Sequence, residues 1–141
     1  MGSVSVDSWA STFSFKDAYK HAMSSFYIAD GSKWTACEMA NTFIRTNMMY
    51  FYEHYKEGST KAWYYFGIAM HTLQDSTSPV HAGFADYSFY EQLLLHGPFT
   101  EGEEDITPEI KAKTVIGMIK VYREAKDGKY IDAFDCRGCG R

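Results

Sequence analysis

The segment His71–Phe84, with the sequence HTLQDSTSPVHAGF, contains two histidines, a carboxylate and a proline at fixed spacing. His71 and Asp75 are four residues apart, so on a helix their side chains lie on one face and can meet at one point. Pro79 lacks a backbone N–H and disfavours the helical conformation at the residue before it, which predicts a turn just after Asp75. That turn can bring His81 back to the helix end. Two imidazoles and a carboxylate that converge in this way can bind zinc or a similar divalent ion.

Each of these three side chains also has an ordinary structural interpretation. His71 can be a hydrogen-bonded core histidine, and Asp75 can accept bonds from N–H groups at a helix end. His81 can be a surface loop residue. For any one of them alone this interpretation is favoured, whereas the three together, with Pro79 in register, favour a metal site.

The rest of the chain predicts an all-α fold, because its apolar spacing is helical and it shows neither a strand pattern nor an internal repeat. About five helices are predicted: Phe15–Tyr27, Lys33–Lys56, a stretch from Thr60 through Gln74, Asp86–Leu95 and Ile110–Lys126, with one more turn over Lys129–Phe134. The third helix is apolar nearly all round and is therefore expected to be central. In the last helix the apolar side chains lie roughly on one side: Ile110, Val115, Ile116, Ile119 and Tyr122.

Composition favours one globular domain over residues 1–141, with an N-terminal arm at 1–13 and a flexible tail at 135–141. The chain has 141 residues, of which 45% are hydrophobic and 17% aromatic, enough for a packed core. The net charge of −4 does not suggest a nucleic-acid surface, which normally carries excess Lys and Arg. No transmembrane segment and no secretory signal are expected, because no long apolar run and no basic segment before an apolar core are present.

The three cysteines are Cys37, Cys136 and Cys139. The spacing of Cys136 and Cys139 suggests a zinc or redox pair, but a zinc site of this kind needs a second pair. We therefore favour two ordinary thiols on the tail. The odd count predicts no disulfide framework.

The pattern His71-x3-Asp75-x3-Pro79-x-His81, followed by small residues and Phe84, resembles the metal-binding core of the zinc-dependent phospholipase C superfamily, which also contains fungal single-strand nucleases. The closer resemblance is to the short C-terminal toxin domains of bacterial polymorphic toxins with rearrangement-hotspot (Rhs) repeats. It is strong over these 14 residues and looser over Asp17–Met23 in the first predicted helix.

The resemblance implies further ligands and a metal count. His21 stands where the family has a histidine in its first helix, and His96 lies close to another. The family places an acid one turn after the latter, where this chain has Thr100, so one or two zinc ions are expected rather than three. Asp75 can bridge two ions, and Asp17, Asp30 and Glu53 are unranked candidates for the general base.

The expected function is that of a metal-dependent phosphodiester hydrolase, phospholipase C-like, acting as an antibacterial toxin domain. A nuclease that uses the same site on DNA or RNA is one alternative, and a non-enzymatic helical binding module is another. The resemblance also implies delivery into a target cell by a specialised secretion system and a cognate immunity protein as partner. A phospholipid substrate would add peripheral membrane contact.

Overall fold

The computed structural model describes residues 15–24, 32–77, 84 and 107–138, and these residues form an all-α structure, as predicted. The α-helices are α1 (Lys33–Lys56), α2 (Lys61–Thr77) and α3 (Pro108–Lys126). Two short 3₁₀ helices accompany them, η1 (Phe15–His21) and η2 (Cys136–Gly138). Within these ranges no strand is present. The predicted helix at 86–95 lies outside the described residues.

Polar caps fix where α1 and α3 begin. The hydroxyl of Ser32 accepts a hydrogen bond from the backbone N–H of Thr35 at 3.0 Å. Thr107 accepts one from Ile110 at 3.2 Å, and Pro108 takes the first turn, where no N–H is needed. The predicted start of α1 at Lys33 is thus confirmed.

Glycines with positive φ follow two of the helices. Gly58 has φ 69° and lies just after α1, and Gly128 has φ 72° and lies just after α3. This left-handed conformation is the usual way to end a helix, and glycine adopts it without a steric penalty. The helix ends predicted at Lys56 and Lys126 are confirmed.

Helices α1 and α2 form an antiparallel hairpin, and α3 packs against both. The short turn at residues 57–60 makes the two helices neighbours. Their shared interior, called here the helical core, is apolar and almost completely buried. It consists of Ile44, Met48, Phe51, Ala62, Ala69, Met70, Leu73, Val121 and Ala125. The six consecutive residues 68–73 of α2 are buried, which confirms that this part of α2 is central, whereas Trp63 and Tyr64 near its start are exposed.

Three of the five residues on the apolar side predicted for α3 point away from the core, whereas Tyr122 packs against it. Val115, Ile116 and Ile119 are 51%, 68% and 42% exposed. The buried residues of α3 are Thr114, Val121 and Ala125, with Gly117 against Leu73 of α2. Because Gly117 has no side chain, α3 can approach α2 closely at this point. A Cβ at residue 117 would lie 3.2 Å from Leu73 Cδ2.

The first predicted helix is shorter than expected and is not α-helical. Residues 15–21 form η1, and Ala22 then has φ 53°, a left-handed conformation that ends the helix. Residues 25–31 lie outside the described part. The prediction of an α-helix continuing through residues 22–24 is therefore wrong.

A disulfide joins Cys37 of α1 to Cys136 of η2, across 99 residues of sequence, with Cα atoms 5.7 Å apart. The interpretation of Cys136 as an ordinary thiol is thus wrong, and one disulfide forms although the odd cysteine count predicted no disulfide framework. The bond lies in a second apolar group, called here the disulfide cluster. Its members are Ala18, Ala22, Met23, Ala36, Cys37, Ala40, Phe84 and Cys136.

The segment before Cys136 is held on α1 by a buried amide. Asn41 is 1% exposed; its Nδ2 donates to Phe134 O at 3.0 Å, and its Oδ1 accepts from Phe134 N at 2.9 Å. Arg45 pairs with Asp132 one turn further along. Residues 129–134 are not helical, so the predicted extra turn is wrong, and the chain instead follows α1 as far as the disulfide.

Beyond the disulfide, Arg137 donates through Nε and Nη2 to the Asp135 carboxylate at 2.8 and 2.6 Å. These hydrogen bonds lower the pKa of Asp135 to about 2.

No helix in the described ranges has both the length and the apolar character needed to cross a membrane.

Candidate metal centre

Three side chains from two distant parts of the sequence meet where η1 touches the C-terminal half of α2. The Asp75 oxygen Oδ2 lies 3.0 Å from His21 Nδ1 and 3.0 Å from His71 Nε2. One ligand-type atom from each of the three residues lies within 4.8 Å of the other two. The two imidazole rings meet edge to face, with centroids 5.4 Å apart. We call these three residues the His–Asp–His cluster.

The helix supplies one half of this geometry directly. His71 and Asp75 are one helical turn apart on α2, so their side chains project from the same face. The helix continues two residues past Asp75, and the hydroxyls of Ser76 and Thr77 donate back to the carbonyls of Leu73 and Gln74. His71 and Asp75 meet as their spacing predicts, and α2 continues to Thr77 rather than turning directly after Asp75.

The other half depends on tertiary contacts that hold η1 against α2. Thr72 is fully buried, and its hydroxyl donates to the backbone carbonyl of Lys20 at 2.7 Å. This bond joins Lys20, which precedes His21, to Thr72, which follows His71. Ala18 and Ala22, on either side of His21, are 0% exposed, so the backbone there has little room to move.

The cluster is largely shielded from solvent. The His21 and His71 side chains are 6% and 9% exposed, and that of Asp75 is 19% exposed. An ionised carboxylate in such surroundings needs compensating partners. Two imidazoles that donate N–H bonds can serve, and so can a divalent cation that all three side chains bind.

Of the other predicted ligands and bases, those among the described residues are not brought to the cluster. His81, His96 and Asp30 lie outside the described residues. The Asp17 carboxylate lies 2.7 Å from the Lys20 amino group at the partly exposed surface of η1. Asp17 therefore belongs to a surface ion pair one turn before His21.

Glu53 and His54 lie at the far end of the hairpin. Glu53 pairs with Lys56 at 3.0 Å, and the His54 ring stacks on Tyr65 with centroids 5.4 Å apart. Asp75 is 14 residues beyond the start of α2, so it lies about 21 Å along the helix from that end. Glu53 is thus too distant to act as the general base at the cluster.

A cavity of about 410 Å³ opens between η1 and the first half of α1. Its lining includes the rings of Tyr19, Trp34 and Phe43 and the carboxylate of Glu38. Tyr19 is two residues from His21, so the cavity adjoins the 3₁₀ helix that carries His21. Aromatic faces beside a carboxylate are suited to a cation, and the Lys20 ammonium lies 6.0 Å from the Tyr19 ring centroid and 5.8 Å from that of Phe43.

Comparisons of the chain with protein-family models, with curated proteins and with solved structures found no match.

Sequence reasoning did not identify Thr72, Asn41 or the pairing of Cys37 with Cys136 as parts of the site's support. Thr72 and Asn41 are polar residues on apolar helices, and such residues need partners once buried. That pattern signals that each makes a buried hydrogen bond. The partner, 52 or 93 residues away, has no local signal.

Proposed function

We propose that this chain is a metal-dependent phosphodiester hydrolase, phospholipase C-like, that acts as an antibacterial toxin domain. The observation that supports this most directly is the His–Asp–His cluster, in which His21, His71 and Asp75 place ligand-type atoms within 4.8 Å of one another. Residues 21 and 71 are far apart in the sequence, so buried tertiary contacts are needed to bring them together.

The donor set fits a catalytic zinc ion. Such sites use three protein ligands, commonly imidazoles with or without a carboxylate, and keep a fourth position for water or substrate. His21, His71 and Asp75 supply that number without any further residue. A bound divalent ion would supply hydroxide at neutral pH and polarise a phosphoryl oxygen.

The chain's own residues have defined tasks in this proposal. Asp75 contributes negative charge and fixes the ring nitrogens of both histidines, since one of its oxygens is 3.0 Å from each. The bond from Thr72 to Lys20 O keeps His21 at the cluster. The surrounding apolar side chains limit access of water, which strengthens electrostatic interactions there.

Two surface features support a lipid head group as the substrate. The cavity beside η1 combines the Trp34 ring with the carboxylate of Glu38, a pair suited to a cationic head group, while the Lys20 ammonium lies over the Tyr19 and Phe43 rings. Trp63 is 52% exposed and Tyr64 is 39% exposed on the hairpin. Exposed Trp and Tyr are the side chains that favour a membrane–water interface, which supports peripheral membrane contact.

The disulfide supports action outside a reducing cytosol, because such bonds persist in oxidising surroundings. Delivery into the oxidising periplasm of a target cell by a specialised secretion system agrees with that location. A toxin domain of this kind also requires protection of the producing cell. We therefore propose a cognate immunity protein as its partner.

The non-enzymatic alternative is supported by one observation. His21 Nδ1 and Asp75 Oδ2 are within hydrogen-bonding distance, so the cluster can be a structural hydrogen-bonded group in a helical binding module. A nuclease acting through the same cluster is the third possibility, and the net charge of −4 disfavours it.

Metal analysis and substrate cleavage separate these possibilities. Purified protein is expected to contain about one zinc ion per chain or two, and to hydrolyse phosphatidylcholine vesicles in a chelator-sensitive manner. His71→Ala and Asp75→Asn should each lose both properties. His54→Ala is the matched control, because His54 lies at the far end of the hairpin, and it should retain both.

Three results would contradict parts of the proposal. Metal-free protein whose thermal stability does not change with added zinc would favour the binding module. Chelator-sensitive loss of single-stranded DNA with vesicles intact would favour the nuclease. Hydrolysis that survives in Asp75→Asn would show that the cluster is not the catalytic site.

A further inference from the structure

The Cys37–Cys136 disulfide lies inside the same apolar group as the short helix that carries His21. Ala18 and Ala22, which flank His21 along the chain, belong to the disulfide cluster together with both cysteines. Cys37 is 0% exposed and Cys136 is 5% exposed. The covalent bond and the backbone at His21 are therefore parts of one packed unit.

The three members of the His–Asp–His cluster are not anchored alike. His71 and Asp75 belong to α2, which contributes four buried residues to the helical core, and that core contains no cysteine. His21 ends the seven-residue η1, and so short a 3₁₀ helix has little stability of its own. The position of His21 depends on the disulfide cluster and on the Thr72 hydrogen bond.

Reduction of the disulfide must disturb its surroundings. It takes two electrons and two protons from a thiol reductant, breaks the S–S bond, leaves thiols at Cys37 and Cys136, and converts the reductant to its own disulfide. Two thiols cannot lie as close together as two bonded sulfurs, so close-packed neighbours such as Ala18 and Ala22 have to shift.

We propose that the Cys37–Cys136 disulfide controls the metal affinity of the His–Asp–His cluster by holding His21 in place. This inference rests on the proposed metal site and adds its regulation. In the oxidised protein three ligands converge. In the reduced protein His71 and Asp75 stay on α2 while His21 moves away, and the metal affinity falls. The site is thus complete in oxidising surroundings and weakened in reducing ones.

The test compares cobalt binding in matched proteins, followed by visible absorption and zinc competition. The reference is oxidised Cys139→Ser, in which Cys136 can pair only with Cys37. The comparison protein is Cys37→Ala/Cys136→Ala/Cys139→Ser, which has no thiol to bind cobalt and places small side chains in a cluster already rich in alanine. We expect its affinity to be about 10- to 100-fold lower, as for loss of groups that orient a ligand. Circular dichroism should show the same helix content in both.

A second pair of variants tests whether the effect passes through His21. His21→Ala in the oxidised reference should lower cobalt affinity to a similar level. Adding His21→Ala to the cysteine-free protein should then change the affinity little, because the two losses are coupled and not additive. Asp75→Asn should lower affinity in both backgrounds.

Each contrary result has a distinct meaning. Equal cobalt affinity with and without the disulfide would overturn the proposed control and leave the metal site standing. Absence of cobalt binding in the oxidised reference would overturn the metal site itself. Loss of helix content in the cysteine-free protein, or a fall in affinity that is just as large after His21→Ala, would overturn the claim that the disulfide acts through His21.

Discussion

Asp75 is the residue that makes the cluster a unit, because its Oδ2 approaches a nitrogen of each histidine at 3.0 Å. A carboxylate accepts two such contacts and also carries the charge that a divalent ion requires. Replacement by asparagine keeps the shape and removes the charge, so it separates the two roles. Thr72 is not one of the three cluster residues, but its single hydrogen bond to Lys20 O holds η1 against α2.

Thr72→Val should destabilise the protein by about 1–3 kcal/mol, because it leaves the partly buried Lys20 carbonyl without its donor. Valine has nearly the volume of threonine, so little of the loss would come from packing. Thr72→Ser keeps the hydroxyl and should recover most of the loss. Urea unfolding of the three proteins measures this. A Thr72→Val protein as stable as the wild type would show that the bond does not hold η1 to α2.

At this scale the sequence predicts what one helical turn brings together and little more. The contact between His71 and Asp75 follows from their spacing alone. The approach of His21 to Asp75 spans 54 residues and was anticipated only through the family resemblance. Thr72 could not be assigned a partner, because its acceptor is a backbone carbonyl that every residue possesses.

At the scale of helices, ends were more predictable than faces. Ser32, Thr107, Gly58 and Gly128 are local signals, and each acts at the position where it stands in the sequence. Which face of α3 is buried depends instead on the helices that pack against it. Close approach to Leu73 favours Gly117 on the inner face, and Val115, Ile116 and Ile119 point outward against the expectation from hydrophobicity.

A pair of substitutions in α3 tests this orientation. Ile116→Lys should change the free energy of unfolding by less than about 0.5 kcal/mol, because residue 116 is 68% exposed. Val121→Ala should cost about 1–3 kcal/mol, because Val121 is 4% exposed within the helical core. Thermal and urea unfolding of both variants give the comparison. A larger loss for Ile116→Lys than for Val121→Ala would mean that α3 is rotated about its axis.

At the scale of the whole molecule, the described residues form two apolar groups that share α1. The helical core joins α1, α2 and α3, and the disulfide cluster joins η1 and η2 to the N-terminal half of α1. The link between residues 37 and 136 could not be predicted, because three cysteines allow several pairs and the CxxC spacing points to a local one. Burial beside η1, seen only in the fold, selects Cys37 as the partner of Cys136.

Removal of this link should lower the stability of the whole domain. A disulfide that closes a loop of about 100 residues restricts the unfolded chain by roughly 4.7 kcal/mol in the chain-entropy model, and measured losses are typically about 2–5 kcal/mol. We expect Cys37→Ala/Cys136→Ala in the Cys139→Ser background to lose an amount in that range. Its dependence on urea concentration should also be steeper, because the unfolded chain without the bond exposes more surface. Unfolding followed by circular dichroism measures both quantities, with Cys139→Ser alone as the reference. An unchanged midpoint would mean that Cys37 and Cys136 are not joined in the folded protein.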